Sequence, residues 1–170
     1  MRCNGGGIKG KFYILIIGAL LGAPLLPYHI SYSGESSWVI EDRVLNVATR
    51  LFKAMEERHY KKVWELLTEK SKKEIVELVY KHIKNQGYTK ESIEKDFEEG
   101  GPIAKAFWDG YLKSFDPKKV LDESRWEKVS FDGDKAKITI KYKKAKLPFY
   151  LKMKKENGTW KVGLIETFGV

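Results

Sequence analysis

Glu166 is the acid whose parity aims it at an interior, because it continues the apolar alternation Trp160, Val162, Leu164. A carboxylate among apolar groups holds its proton toward neutral pH and can act as a general acid or base. The same residue also reads as a rim carboxylate at a fraying strand end. His59 lies in a polar break between two helical runs and His82 on the border of another, so each is a base or an ordinary turn or packing residue. Asp109, between Trp108 and Tyr111, rotates off the apolar helix face. No inward Asp/His or Asp/Asp pair emerges, and the weak candidates for proton-transfer catalysis are Glu166, His59 and His82. Cys3 is the only cysteine, and the histidines lack H-x₃-H or H-E-x-x-H spacing. No metal site and no cofactor is expected.

Two larger sets carry the remaining possibilities. Trp64, Phe107, Trp108, Tyr111, Tyr142, Phe149 and Trp160 all take apolar-face positions. They form either an aromatic core or the wall of a cavity for an apolar ligand such as a lipid or isoprenoid. Lys137, Lys141, Lys143, Lys152, Lys154 and Lys161 take the opposite parity in the last third of the chain. From Pro117 onward fourteen Lys/Arg face seven Asp/Glu, whereas Gly34 to Asp116 is nearly balanced. This basic face suits an anionic envelope surface or another envelope protein, or is a solvated face that blunts a sheet. RNA-binding sheets need stacked exposed aromatics; here Tyr150 is the lone one, and nucleic acid is not an expected partner.

The elements that must position these sets are legible from period. Ile40, Val44, Val47, Ala48, Leu51, Phe52 and Met55 mark a helix capped by Ser36 or Ser37, with Glu41 and Asp42 placed in its first turn. After a break at Glu56–His59, Tyr60, Val63, Trp64 and Leu67 continue as a second helix. Ser71-x-x-Glu74 reads as a capping box opening a third helix to about Ile83. Thr89 caps a short, acidic, exposed helix, Lys90 to Glu99, and Pro102 begins another to about Leu112. A helical turn is expected at Pro117–Leu121. From Arg125 the period becomes 2: strands at Trp126–Phe131, Lys135–Lys144, Phe149–Lys154 and from Trp160 on, with turns at Asp132-Gly133 and Asn157-Gly158. Asn157-Gly158-Thr159 also matches a glycosylation sequon, which the turn already explains. The fold class is α+β, with helices covering one face of a four-stranded antiparallel sheet.

The amino terminus reads as an export segment. Arg2, Lys9 and Lys11 precede the apolar run Phe12 to Leu26, and no charge follows before Glu35. Residues 1–34 are a cleaved signal peptide, with a weak site before Gly34, or a membrane anchor. Residues 35–170 form the domain, placed outside the cytoplasm. High Lys/Glu with a single glutamine fits a heat-adapted source, or neutral drift.

Phe52-x-Ala54, then Tyr60-x-x-x-Trp64-x-x-Leu67, and the terminal Gly158-x-Trp160-x-Val162 resemble the NTF2-like (cystatin-like cone) superfamily. Arg58-His59 replaces the usual small-acidic pair, and helices stand between Ser71 and Leu112 where many members have a hairpin. The resemblance implies a curved cone-shaped sheet. The same cone serves isomerases, dehydratases, hydrolases, scaffolds and binding modules, so fold names no reaction. The expected function is a non-enzymatic binding or assembly module of the cell envelope. A small pocket enzyme using Glu166 or a histidine, and an apolar-ligand carrier, are the alternatives. The sheet also offers a route to a homodimer.

Overall fold

The apolar stripe of the first helix is buried as a unit: Val44, Ala48, Leu51, Phe52 and Met55 of α1 (Ser37–Glu56) are inaccessible to solvent. The computed structural model describes residues 36–169, and the expected export segment, residues 1–34, lies outside them. Among the described residues no helix is long and apolar enough to cross a membrane. α1 ends at the polar break, where Arg58 takes a positive φ of 56° and lets α2 (Tyr60–Leu66) fold back. Helices α3 (Glu69–Ile83), α4 (Lys90–Glu99), α5 (Pro102–Tyr111) and α6 (Pro117–Asp122) follow. The strands are β1 (Ser124–Asp132), β2 (Lys135–Tyr142), β3 (Phe149–Glu156) and β4 (Thr159–Gly163), and a short α7 (Leu164–Phe168) closes the chain.

The strands form an antiparallel meander in the order β1-β2-β3-β4, so the fold is α+β as the periods require. The sheet is open, with a register shift in β1 between Trp126 and Lys128. Ala136, Ile138, Ile140, Leu151, Met153, Trp160 and Val162 are buried on one face, while Lys137 and Lys152 between them stay exposed and Lys161 is half-buried. Asn157 (φ 49°) and Gly158 (φ 76°) make the expected tight turn. The free edge of β4 is met by the segment after α2: Leu67 bridges Val162 in parallel, and the Thr68 amide donates to the Val162 carbonyl at 3.0 Å.

Four local expectations need correction. α1 begins at Ser37, a turn earlier than the acidic pair, so its first turn holds no acid, and Ser36 makes no side-chain cap bond. α3 begins at Glu69, not at Ser71: Thr68 is its cap, its hydroxyl accepting from the Ser71 amide at 3.1 Å. This leaves the Ser71 hydroxyl free for another task. α4 keeps its Thr89 cap, reinforced by Ser92, but is not merely an exposed acidic helix. Its two apolar residues one turn apart, Ile93 and Phe97, are fully buried. The fourth strand stops at Gly163 and the chain turns helical.

Aromatic rings fill the space where α2, α4 and α5 meet. Phe97 sits 4.6 Å from Trp64, 5.5 Å from Phe107 and 6.5 Å from Trp108. Tyr111 continues the series to Phe115, and Phe115 contacts Phe52 and Phe168. Such tilted and edge-on pairs each add about 0.5–1.5 kcal/mol beyond area burial. The Trp108 indole N–H is buried in this cluster without an acceptor among the described residues.

The junction between α4 and α5 depends on close approach. Asp96 Oδ1 accepts from the Ala104 amide at 2.7 Å, capping α5 from the preceding helix. A Cβ on Gly101 would stand 2.3 Å from Asp96 Oδ2. Gly101→Ala should therefore cost about 1–2 kcal/mol, the worth of a helix cap, in urea denaturation. The same change made with Asp96→Ala should cost much less; strictly additive losses would show that Asp96 is not the obstacle.

Candidate functional site

Glu166 does not point into an interior pocket from the end of a strand. Gly163 ends β4, and α7 swings the carboxylate back onto the start of α3. Glu166 Oε1 accepts from the Thr68 hydroxyl at 2.9 Å and Oε2 from the Ser71 hydroxyl at 2.6 Å. Ser71 Oγ in turn accepts from the Ile165 amide at 3.2 Å. Thr68 and Ser71 are both fully buried, while Glu166 is half-buried. Hydroxyls donating to both oxygens fix the position of the carboxylate. The arrangement holds α7 against α3, and among the described residues no histidine bonds to Thr68 or Ser71.

The two candidate histidines, His59 and His82, make their contacts elsewhere than Glu166. His59 is exposed at the helical break, 3.2 Å from Glu57. His82 is exposed on α3, its Nδ1 2.8 Å from the Leu78 carbonyl. Asp109 does leave the apolar face, and its Oδ1 accepts from Arg58 at 2.5 Å and from the Tyr60 hydroxyl. Burial, and then the bond to Asp109, raises the Tyr60 pKa. This cluster clamps the α1–α2 turn to α5. Burial alone pushes the Tyr111 hydroxyl up to about 12. Among the described residues, no group of three or more Asp, Glu, His or Cys could hold a metal ion.

The aromatic candidates divide. Trp64, Phe107 and Trp108 are joined through Phe97, Tyr111 packs on Trp108, and Phe149 reaches them through Phe168 and Phe115. Trp160 instead packs on Phe131 at 6.0 Å, and the Tyr142 hydroxyl donates to Glu123 at 2.8 Å. Only Phe107 and Trp160 line any of the five principal clefts. Most of the set therefore stacks on itself and does not face a space.

The basic candidates also divide, and here a concave site appears. Lys137, Lys152 and Lys154 line a groove of about 830 Å³ together with Lys70 and Lys135. Thr68, Ile165 and Glu166 border it, and Asp132 stands at its other margin. Register explains the concentration of charge: Lys135 lies directly opposite Lys154, Lys137 opposite Lys152, and Lys154 opposite Lys161. Like charges in directly opposed positions destabilise a sheet, by up to roughly 1 kcal/mol a pair. Lys154 is partly neutralised by Glu156 at 3.1 Å. Burial opposes ionisation of Glu156, but the Glu69 amide and Lys154 outweigh it and hold its carboxyl below the usual range. Lys137 Nζ lies 4.9 Å over the Tyr150 ring. Lys161 leaves the patch, donating to the Glu65 carbonyl at 2.5 Å. Lys141 and Lys143 lie toward the other end of β2, beyond the groove. Lys135 and Lys70 had no place in the sequence-derived set. Counting the hairpin registers from the two tight turns would have found Lys135, but nothing local signals Lys70.

Two measurements check this geometry. Glu166→Ala leaves two buried hydroxyls without their acceptor and should destabilise the protein by about 1.5–3 kcal/mol, the worth of hydrogen bonds to a charged group. Glu166→Gln, which keeps an acceptor, should cost less. The raised Tyr111 pKa has a definite sign: the unfolded chain releases this proton near pH 10 and the folded protein near 12. Stability is therefore unaffected below pH 10 and falls as pH rises from about 10 to 12. Ultraviolet titration of native protein should show one tyrosinate appearing last, and Tyr111→Phe should remove it.

Searches with family models, against curated proteins and against solved structures give no match to this chain.

Proposed function

We propose that the chain is an exported, NTF2-like binding or assembly module of the cell envelope, held or released at the outer face of the cytoplasmic membrane. The observation that carries this reading is the contrast between its two concavities. The space between helices and sheet, where a cone enzyme would bury its acid or base, is filled by Phe52 edge-on to Trp126 and by the buried Ile138, Ile140, Leu151 and Val162. The groove on the opposite face is open and lined by lysines. A filled interior supports neither a buried catalytic carboxylate nor an apolar cargo, whereas an exposed basic groove supports reversible contact with an anionic partner. The basic flank and apolar run before Glu35 support export.

A pocket enzyme is the second reading, favoured by one observation: Glu166 borders the groove. Its carboxylate would first have to leave Thr68 and Ser71 to take a proton from a ligand.

Fractionation of cells expressing the full chain should place it with the membrane or outside the cytoplasm; a purely cytoplasmic, full-length product overturns the export reading. Native mass spectrometry of the purified protein should give the mass of the polypeptide alone. A co-purifying lipid mass would replace the module with a carrier.

A further inference from the structure

The four lysines that face one another across β2 and β3 form a rectangle. Lys135 and Lys137 stand two residues apart on one strand, opposite Lys154 and Lys152 on the next. Strand spacing of about 4.8 Å and a two-residue rise of about 6.8 Å set the dimensions of its base. Two corners are positioned by neighbours, Lys154 by Glu156 and Lys137 by the Tyr150 ring. Among the described residues, the other two, Lys135 and Lys152, have no ion-pair or hydrogen-bond partner for their ammonium groups, although Asp132 lies opposite Lys135 in register. The sequence from Lys135 through Lys155 contains no acid at all. A sheet that only needed solubility would interleave opposite charges across its strands, as such pairs stabilise it.

We propose that this quartet is the binding site of a chain-like anion carrying successive phosphate-type groups, an oligophosphate or a short phosphodiester. The proposal rests on the binding-module reading and gives it a ligand class. One phosphate-type group cannot neutralise four ammonium groups, whereas two or three linked groups laid along the rectangle can. The shape of the groove favours a narrow chain over a bilayer. Its margins carry Asp132 and Glu166, which repel a plane of anionic headgroups spread over the whole face and leave the centre accessible to a strand-like ligand. Lys70, on the first turn of α3, extends the basic wall beside Thr68.

Calorimetric titration of the full-length protein with sodium triphosphate tests this, with orthophosphate and phosphatidylglycerol vesicles as the other arms. Triphosphate should saturate at one per chain and bind at least tenfold more tightly than orthophosphate, with affinity falling steeply between 50 and 200 mM NaCl. Lys135→Gln with Lys152→Gln should weaken triphosphate at least tenfold. In the absence of ligand, the same variant should melt no lower than the parent, because it removes repulsion. Lys141→Gln with Lys143→Gln should bind triphosphate like the parent. Absence of saturable triphosphate binding, equal affinity for orthophosphate, an unaffected Lys135/Lys152 variant, or binding to vesicles alone would each overturn the proposal. Release of orthophosphate from bound triphosphate would support the site while overturning the binding-module reading. Export without triphosphate binding would overturn the ligand class alone.

Discussion

A sheet with one apolar and one basic face is unstable in water until the apolar face is covered, and most of this molecule answers that constraint. The covering surface is a helical hairpin whose inward residues, from Val44 to Leu67, are almost all inaccessible. The cover and the sheet share a ring-filled interior, in which Phe52 meets Trp126 edge-on at 5.9 Å. Large rings suit this place because they fill volume with little side-chain entropy to lose, and their edges and faces interlock. Once the interior is filled this way, little room remains there for a ligand. The opposite face and its margins become the surface available for function.

The edge of β4 depends on a different kind of bond. Beyond the Leu67–Val162 bridge, the Thr68 cap, the Ser71 hydroxyl, the Ile165 amide and Glu166 form one polar unit around the ends of α2, α3 and α7. Each donor has its acceptor, so a set of buried hydroxyls that would be costly alone becomes a fastening. Gly163 is part of it: a Cβ there would lie 3.0 Å from Glu166 Cδ. The unit also forms one border of the lysine groove, so the fastening and the basic site share a wall.

Long-period features were legible in the sequence and short-range exchanges were not. The apolar stripe of α1, the alternation of β2 and the Asn157-Gly158 turn each rest on several residues agreeing, and each stands where periodicity puts it. Glu166 failed because parity assumes that a strand continues; Gly163 ends it, and the carboxylate finds two hydroxyls almost a hundred residues upstream in sequence. Ser71 looked like a cap because Glu74 follows it, yet Thr68 had the better claim and the extended backbone that a cap needs. Phe97 was hidden among the acids of α4, where two apolar residues are too few to define a face. The lysine set was visible as parity, but its division required strand register, which only the turns specify.

The parallel contact between Leu67 and Val162 joins the end of the helical hairpin to the last strand of the meander. On a ribosome these partners appear far apart in time, and contacts of such long sequence separation are the slow ones to form. The greasy hairpin is made first and has no sheet to rest on until the strands downstream of it have emerged. During that interval its apolar stripe is open to chaperones and to other chains. The architecture thus leaves the hairpin's stripe uncovered until the four strands, which all follow the helices in sequence, have been made.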